Sequence, residues 1–235
     1  LIGVVGDDAA GKSLLGMCNQ AGIAPVLTTP QDAKTVIKTR WCCPTGQLLR
    51  TDEDHQLPSL GNIMPVTADV ILIADYGKGT FSCNTLQAII QAHPKVIVDP
   101  ARGGSWDDYY GCWGLKSNER EYEEAEEYFR LNDLGNRPRV VAKWYVMTKG
   151  SDGLEYTPKN RSTPRHIATR RRDIFDATGC GDQVLATLGV CLGSGMDLVE
   201  ACRWANAAAG LCCDKRGATP VTLAELMAEL PNMPP

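Results

Sequence analysis

The fold class predicted is α/β with a mainly parallel central sheet, and three observations carry it. Short apolar runs alternate with segments of helical period, the sign of parallel strands joined by crossover helices. The runs Val70-Ile71-Leu72-Ile73-Ala74, Val96-Ile97-Val98 and Trp144-Tyr145-Val146-Met147 are too short for helices and apolar at successive positions, as strands covered on both faces must be. With 235 residues, 43% of them hydrophobic, the chain can bury one large core, and no repeat, low-complexity tract or linker divides it. A single domain over 1–235 is therefore expected.

In chain order, Leu1-Ile2-Gly3-Val4-Val5 reads as a buried strand at the very front, and because residue 1 is Leu, further sequence is expected upstream. Thr35-Val36-Ile37-Lys38-Thr39-Arg40-Trp41 then alternates in the strand period. Gln47-Leu48-Leu49-Arg50 returns after Pro44-Thr45-Gly46, which predicts a lid hairpin within about 26–51. Lys38 and Arg40, two residues apart, would share one face of it and could hold an anionic substrate or simply face solvent. A helix from about Ser82 to His93 separates the first two core strands. Glu119 to Phe129 carries six glutamates and reads as a helix with a solvated face. Three helices, 182–193, 197–212 and 222–230, close the chain.

Composition excludes several classes. A net charge of -4 gives no basic footprint for nucleic acid, and the run Arg170, Arg171, Arg172 is too short to change that. No apolar run approaches the roughly 20 residues that span a bilayer, and no leader pattern is present, so no membrane partner and a cytoplasmic location are expected. Ten cysteines form no Cys-x-x-Cys. The adjacent pairs Cys42-Cys43 and Cys212-Cys213 suit zinc poorly, and His55, His93 and His166 are scattered, so the thiols read as apolar packing residues.

The most informative segment is Asp176-Ala177-Thr178-Gly179-Cys180-Gly181-Asp182, a glycine-bearing turn running into the apolar stretch from Val184 to Leu192. Glycines allow consecutive N–H groups to converge at a helix start, where the dipole favours an anion. Asp182, on the first helical turn, is placed to take a proton from a hydroxyl that attacks a phosphoryl group. Cys180, between the two glycines, gains reactivity only if the helix start lowers its pKa. A competing motif stands at the front, where Gly6-Asp7-Asp8-Ala9-Ala10-Gly11-Lys12-Ser13 matches the Walker A pattern between a strand and a helix. Asp7 and Asp8 would repel phosphate there and fit better as helix caps, yet a P-loop nucleotidase stays open as an alternative. Thr148-Lys149-Gly150-Ser151-Asp152-Gly153 follows a core strand and could face a nucleotide's phosphates. Asn118 and Glu121 begin the acidic helix, either as a plain helix start or with the carboxylate holding magnesium through water. Asp75-Tyr76-Gly77-Lys78-Gly79 ends a strand where open α/β sheets place ligand loops.

Together with Gly3 to Asp8, Val98-Asp99-Pro100 and Asn206-Ala207-Ala208-Ala209-Gly210, these blocks lie in the order found in the ribokinase (PfkB) carbohydrate kinase superfamily, which the chain resembles through nearly its whole length, in particular its heptose 7-phosphate kinase branch. The resemblance implies a three-layer α-β-α ribokinase-like fold with a small β lid, and ATP with Mg2+ as cofactors. It implies transfer of a phosphoryl group to a sugar hydroxyl, the anomeric one of a heptose 7-phosphate in that branch, for lipopolysaccharide core synthesis. Asp182 would be the base and the amides of Gly179, Cys180 and Gly181 the anion hole. Asn118 and Glu121 would organise magnesium and phosphate, Thr148 and Gly150 would contact ATP with Gly153 in the same turn, and Asn206 would lie by the adenine. Lys38, Arg40, Asp75 and Lys78 would meet the sugar or sugar phosphate. The family usually has Ala at the Cys180 position, a change that keeps the amide, and its members continue upstream of the segment matching Leu1. A kinase for ribose or fructose, and an inactive fragment, are the other readings, and the lid edge predicts a homodimer.

Overall fold

A computed structural model of the chain describes residues 1–43, 46–61, 67–132, 141–158, 163–170 and 176–233. The chain divides into two compact units, one of Leu1–Met64 with Gly77–Leu86 and one of Pro65–Tyr76 with Gln87–Pro235.

In the smaller unit, β1 (Ile2–Val4) leads through the helix α1 (Ala9–Gln20) to β2 (Val26–Thr28), which pairs parallel to β1. The front strand is less buried than its apolar composition predicts. Leu1 and Ile2 are exposed, and burial is reached only at Val4 and Val5. β3 (Ile37–Cys43) and β4 (Gly46–Glu53) form an antiparallel hairpin. It is shorter than the 26–51 span predicted for the lid, because β2 at the front of that span pairs with β1. Pro44 and Thr45 of the predicted turn lie outside the described residues.

The larger unit is built on a six-stranded sheet. Its strands are β5 (Ile71–Ala74), β6 (Val96–Asp99), β7 (Gly114–Asn118), β8 (Trp144–Thr148), β9 (Leu154–Pro158) and β10 (Arg165–Ile167), hydrogen-bonded in the spatial order β10-β9-β8-β7-β6-β5. β5 to β8 run parallel and β9 and β10 antiparallel, so the mainly parallel sheet predicted is present. Helices follow at the predicted places: α2 (Cys83–Ala92), α3 (Glu119–Leu131), α4 (Cys180–Gly193), α5 (Leu198–Cys213) and α6 (Leu223–Glu229). Local chemistry sets their starts. Asn118 and Glu121 form a reciprocal capping box on α3, Asp197 accepts from the Glu200 amide on α5, and Thr222 and Glu225 form a second box on α6.

Ile97, Val146, Leu154, Val184 and Leu188 are almost wholly buried and belong to one core cluster that joins the sheet to α4 and α5. Each such side chain contributes about 1.5–3 kcal/mol on burial, which anchors the start of α4 against the carboxyl ends of the strands. Among the described residues no helix is long and apolar enough to cross a membrane.

Candidate active site

The loop before α4 is stapled from behind. One carboxylate oxygen of Asp176 accepts from the Thr178 amide and the other from the Gly217 amide, both at 2.9 Å, while the Asp176 amide donates to the Cys213 carbonyl at 3.2 Å. Gly179 then reverses the chain at φ +80°, a left-handed angle that a side chain disfavours, and α4 begins at Cys180. The Cys180 amide reaches the Ala177 carbonyl at 3.3 Å, so it is not the open donor that the sequence suggests. Among the described residues the Gly181 and Asp182 amides make no hydrogen bond. They are orphan donors at a helix start, where the dipole adds partial positive charge.

A full positive charge lies under that turn. Lys116, on β7, is buried and its Nζ donates to Asp99 Oδ2 at 2.7 Å. A Cβ built on Gly181 would stand 3.0 Å from this Nζ, so glycine is what lets the helix start close on the ammonium. Burial pushes the Asp99 carboxyl up to about 6, against the pull of Lys116, and the nearby charges of Glu121 and Asp182 add to the rise. Asp182 itself is exposed and accepts a 2.5 Å hydrogen bond from the Tyr76 hydroxyl. Burial and the Asp182 carboxylate both raise the Tyr76 phenol, so it stays a donor. Neighbouring Asp75 is held by the buried Tyr109, whose hydroxyl donates to Oδ2 at 2.9 Å.

Cys180 and Gly181 line one end of a cavity of about 670 Å³. Thr148, Gly150 and Gly153 line it from the turn after β8, and Asn206 and Gly210 from α5, so the structure brings together residues scattered over some sixty positions of sequence. Thr148 donates its hydroxyl to the Ser117 carbonyl at 3.3 Å. Asn206 donates to the carbonyls of Ile167 and Ala168, which fixes the segment after β10 against α5. Asn118 and Glu121 are engaged in their capping box, with Asn118 Oδ1 accepting from the Glu121 amide and Glu121 Oε2 from the Asn118 amide, each at 2.9 Å. The other Glu121 oxygen lies 3.8 Å from Arg102. Of the three arginines from 170, Arg171 and Arg172 fall outside the described residues, and Arg170 pairs with Glu229 at 3.4 Å.

On the hairpin of the smaller unit, the register sets Lys38 opposite Asp52 and Arg40 opposite Arg50, so Lys38 and Arg40 share a face with Arg50. Arg50 binds Asp52 at 2.9 Å, and Lys78 binds Asp54 at 2.5 Å. The Walker-like loop of this unit is filled by its own carboxylate. Asp8 caps α1, accepting from the amides of Gly11 and Thr35 and from the Thr35 hydroxyl, each at 2.8 Å. These bonds hold its carboxyl down at about 2. Lys12 turns outward to an exposed pair with Asp7 at 2.9 Å. The donors a phosphate would need are therefore occupied by an aspartate, which corrects the P-loop alternative.

Sequence reasoning missed Lys116 and Tyr76. A lysine inside a run that proves to be a central strand is a usable signal, because a buried ammonium needs an acidic partner, and Asp99 ends the neighbouring strand. Tyr76 has no comparable signal, since nothing local ties it to position 182.

Beyond the ends of its parallel strands the larger unit thus carries a helix start with open amides beside a carboxylate. The family model described as pfkB family carbohydrate kinase matches residues 1–224. The chain belongs to this family. It is 32% identical over 250 residues to the bifunctional protein HldE of Halorhodospira halophila and 31% identical over 248 residues to that of Caulobacter vibrioides. Those matches cover 100% and 97% of this chain but 52% and 51% of the relatives, so the chain spans about half the length of the curated relatives it matches. The ribokinase of Thermotoga maritima superposes with a TM-score of 0.79 at 21% identity, covering 97% of this chain and 80% of its own. The Arabidopsis thaliana ribokinase complexed with ribose and ATP gives 0.76 at 17% identity, covering 97% and 80%. These establish the ribokinase-like fold.

Proposed function

We propose that this chain carries an ATP-dependent kinase centre that transfers the γ-phosphoryl group to a sugar hydroxyl, with the anomeric hydroxyl of D-glycero-β-D-manno-heptose 7-phosphate as acceptor. The observation that carries the reading is the start of α4, where two orphan amides, a carboxylate and a buried ammonium surround one turn at the end of a nucleotide-sized cavity. A transferring phosphoryl group spreads negative charge over its equatorial oxygens, and preorganised donors lower the barrier because they need no reorganisation. The amides of Gly181 and Asp182 receive that charge, and Lys116 supports it from below.

Asp182 is the base. Its Tyr76 hydrogen bond stands where an acceptor hydroxyl would donate, so the sugar exchanges one hydroxyl partner for another and Asp182 takes the proton as the oxygen attacks. Thr148, Gly150 and Gly153 face the nucleotide phosphates, and Asn206 orders the wall beside the adenine. The charges of Glu121 and Asp182 both raise the Asp99 carboxyl, and such a gathering of carboxylates suits a hard divalent cation. Magnesium would be held there by Glu121 through water, neutralising phosphate charge. Lys38, Arg40 and Lys78 are the candidates for the sugar's existing phosphate, and Asp75 is a further candidate for contact with the sugar. The likeness to HldE supports the heptose acceptor, and its length suggests a partner half that this chain does not span.

The test compares phosphorylation of heptose 7-phosphate, ribose, fructose and fructose 6-phosphate by the full-length gene product and its Asp182→Asn form. Selective use of the heptose, lost in the variant with ATP binding retained, is expected. Preference for a neutral sugar would refute the heptose assignment, and unchanged turnover in Asp182→Asn would refute the base.

A further inference from the structure

The first residue of α4 carries a thiol at the mouth of the phosphate turn, and it is not alone. Cys180 Sγ lies 3.0 Å from the Sγ of Cys213, the last residue of α5. Both side chains line the 670 Å³ cavity, so a small solute that enters it reaches them. The same two segments are already bound to each other by the Asp176 amide on the Cys213 carbonyl and by the Cys212 thiol, 3.7 Å from the Thr178 carbonyl. The cradle is thus held in place by the end of α5.

We propose that Cys180 and Cys213 form a reversible disulfide that displaces the cradle and weakens nucleotide binding, making the site sensitive to low-molecular-weight disulfides. The consequence rests on the nucleotide reading above, while the bond itself does not. A disulfide is about 2.05 Å long, so the two sulfurs must draw about 1 Å closer than they stand. Cys180 shares its turn with the open amides of Gly181 and Asp182, so the shift is passed to them. Open amides moved by about 1 Å no longer meet a phosphate at hydrogen-bond distance, and in catalysis a misplacement of that size can cost on the order of 10²-fold in rate.

The chemistry follows from the contact. Either thiol, once deprotonated, can open the exchange, and the 3.0 Å contact places the other to complete it. Where Cys213 opens it, its thiolate attacks one sulfur of a small disulfide RSSR, forms a mixed disulfide and releases RS⁻, which takes up the proton Cys213 lost. Cys180 then loses its proton and attacks the Cys213 sulfur, expelling the second RS⁻, which takes up that proton. Two protein thiols are oxidised and one RSSR is reduced to two RSH. A dithiol reverses both steps.

The experiment incubates the chain with oxidised glutathione, maps disulfides by non-reducing peptide mass spectrometry, and titrates ATP calorimetrically before and after, each protein compared with its own reduced form. A Cys180–Cys213 linked peptide, with ATP affinity lowered at least tenfold and restored by dithiothreitol, is expected. Cys213→Ser and Cys180→Ala, checked for folding by thermal melting, should each lose the response. A different cysteine pair, no linked peptide, or a linked peptide with unchanged affinity overturns the proposal. Reduced protein that binds no ATP overturns the nucleotide reading and the consequence with it, and the peptide map distinguishes that outcome from failure of the thiol pair.

Discussion

Two turns in this chain look alike on paper and differ in what their amides do. Gly6 to Ser13 and Asp176 to Asp182 both place glycines and aspartates before a helix. In the first, the Asp8 carboxylate sits inside the turn and accepts from Gly11 and Thr35. In the second, Asp176 binds from behind, to Thr178 and Gly217, and the Gly181 and Asp182 amides stay open over Lys116. A glycine pattern therefore does not make an anion site by itself. Which donors are already satisfied decides it, and that depends on where each carboxylate lands.

Breaking the second turn should cost most. Asp182→Asn keeps shape and removes the proton acceptor, so kcat of the full-length enzyme should fall about 10³-fold with ATP affinity nearly unchanged. Lys116→Met leaves Asp99 buried without its cation, and urea denaturation at pH 7 should show a loss of about 3 kcal/mol. That loss should shrink below the Asp99 value of about 6, where the carboxyl takes a proton and needs the ammonium less. In the wild type, Asp99 holds its proton to about 6 when folded but releases it near 3.8 when unfolded, so its contribution to stability declines as pH rises through that window. Gly181→Ala presses a methyl against Lys116 Nζ, and ATP affinity should drop about tenfold without loss of helix content.

The first turn should respond differently. Asp8 is held at about 2 against an ordinary 3.8, so its contribution is complete above about 4 and is lost as pH falls toward 2. Asp8→Asn should flatten that part of the acid melting curve and leave ATP affinity alone. Lys12→Ala should change neither, because its pair with Asp7 is exposed.

Most of the larger unit was legible in the sequence because its strands and helices keep their periods. The runs at 70–74, 96–98 and 144–147 became β5, β6 and β8, and the closing helices lie within two residues of their predicted ends. β7 was not legible as a strand, since Gly114-Leu115-Lys116-Ser117-Asn118 breaks apolar continuity with the lysine that matters most to the site. β9 and the edge strand β10 are likewise interrupted by charged or polar residues and fail for the same reason. The cradle was legible as a turn, but which amides remain open was not. That depends on hydrogen bonds to Ala177, Gly217 and Cys213, and two of these partners lie more than thirty residues away.

The most direct test of the contrast is the ATP affinity of Gly181→Asp, which gives the second turn the internal carboxylate of the first, measured by calorimetry beside Lys12→Ala. Affinity should fall at least 100-fold in Gly181→Asp and stay at the wild-type value in Lys12→Ala. Retained affinity in Gly181→Asp together with loss in Lys12→Ala would place the nucleotide at the front loop and contradict the account.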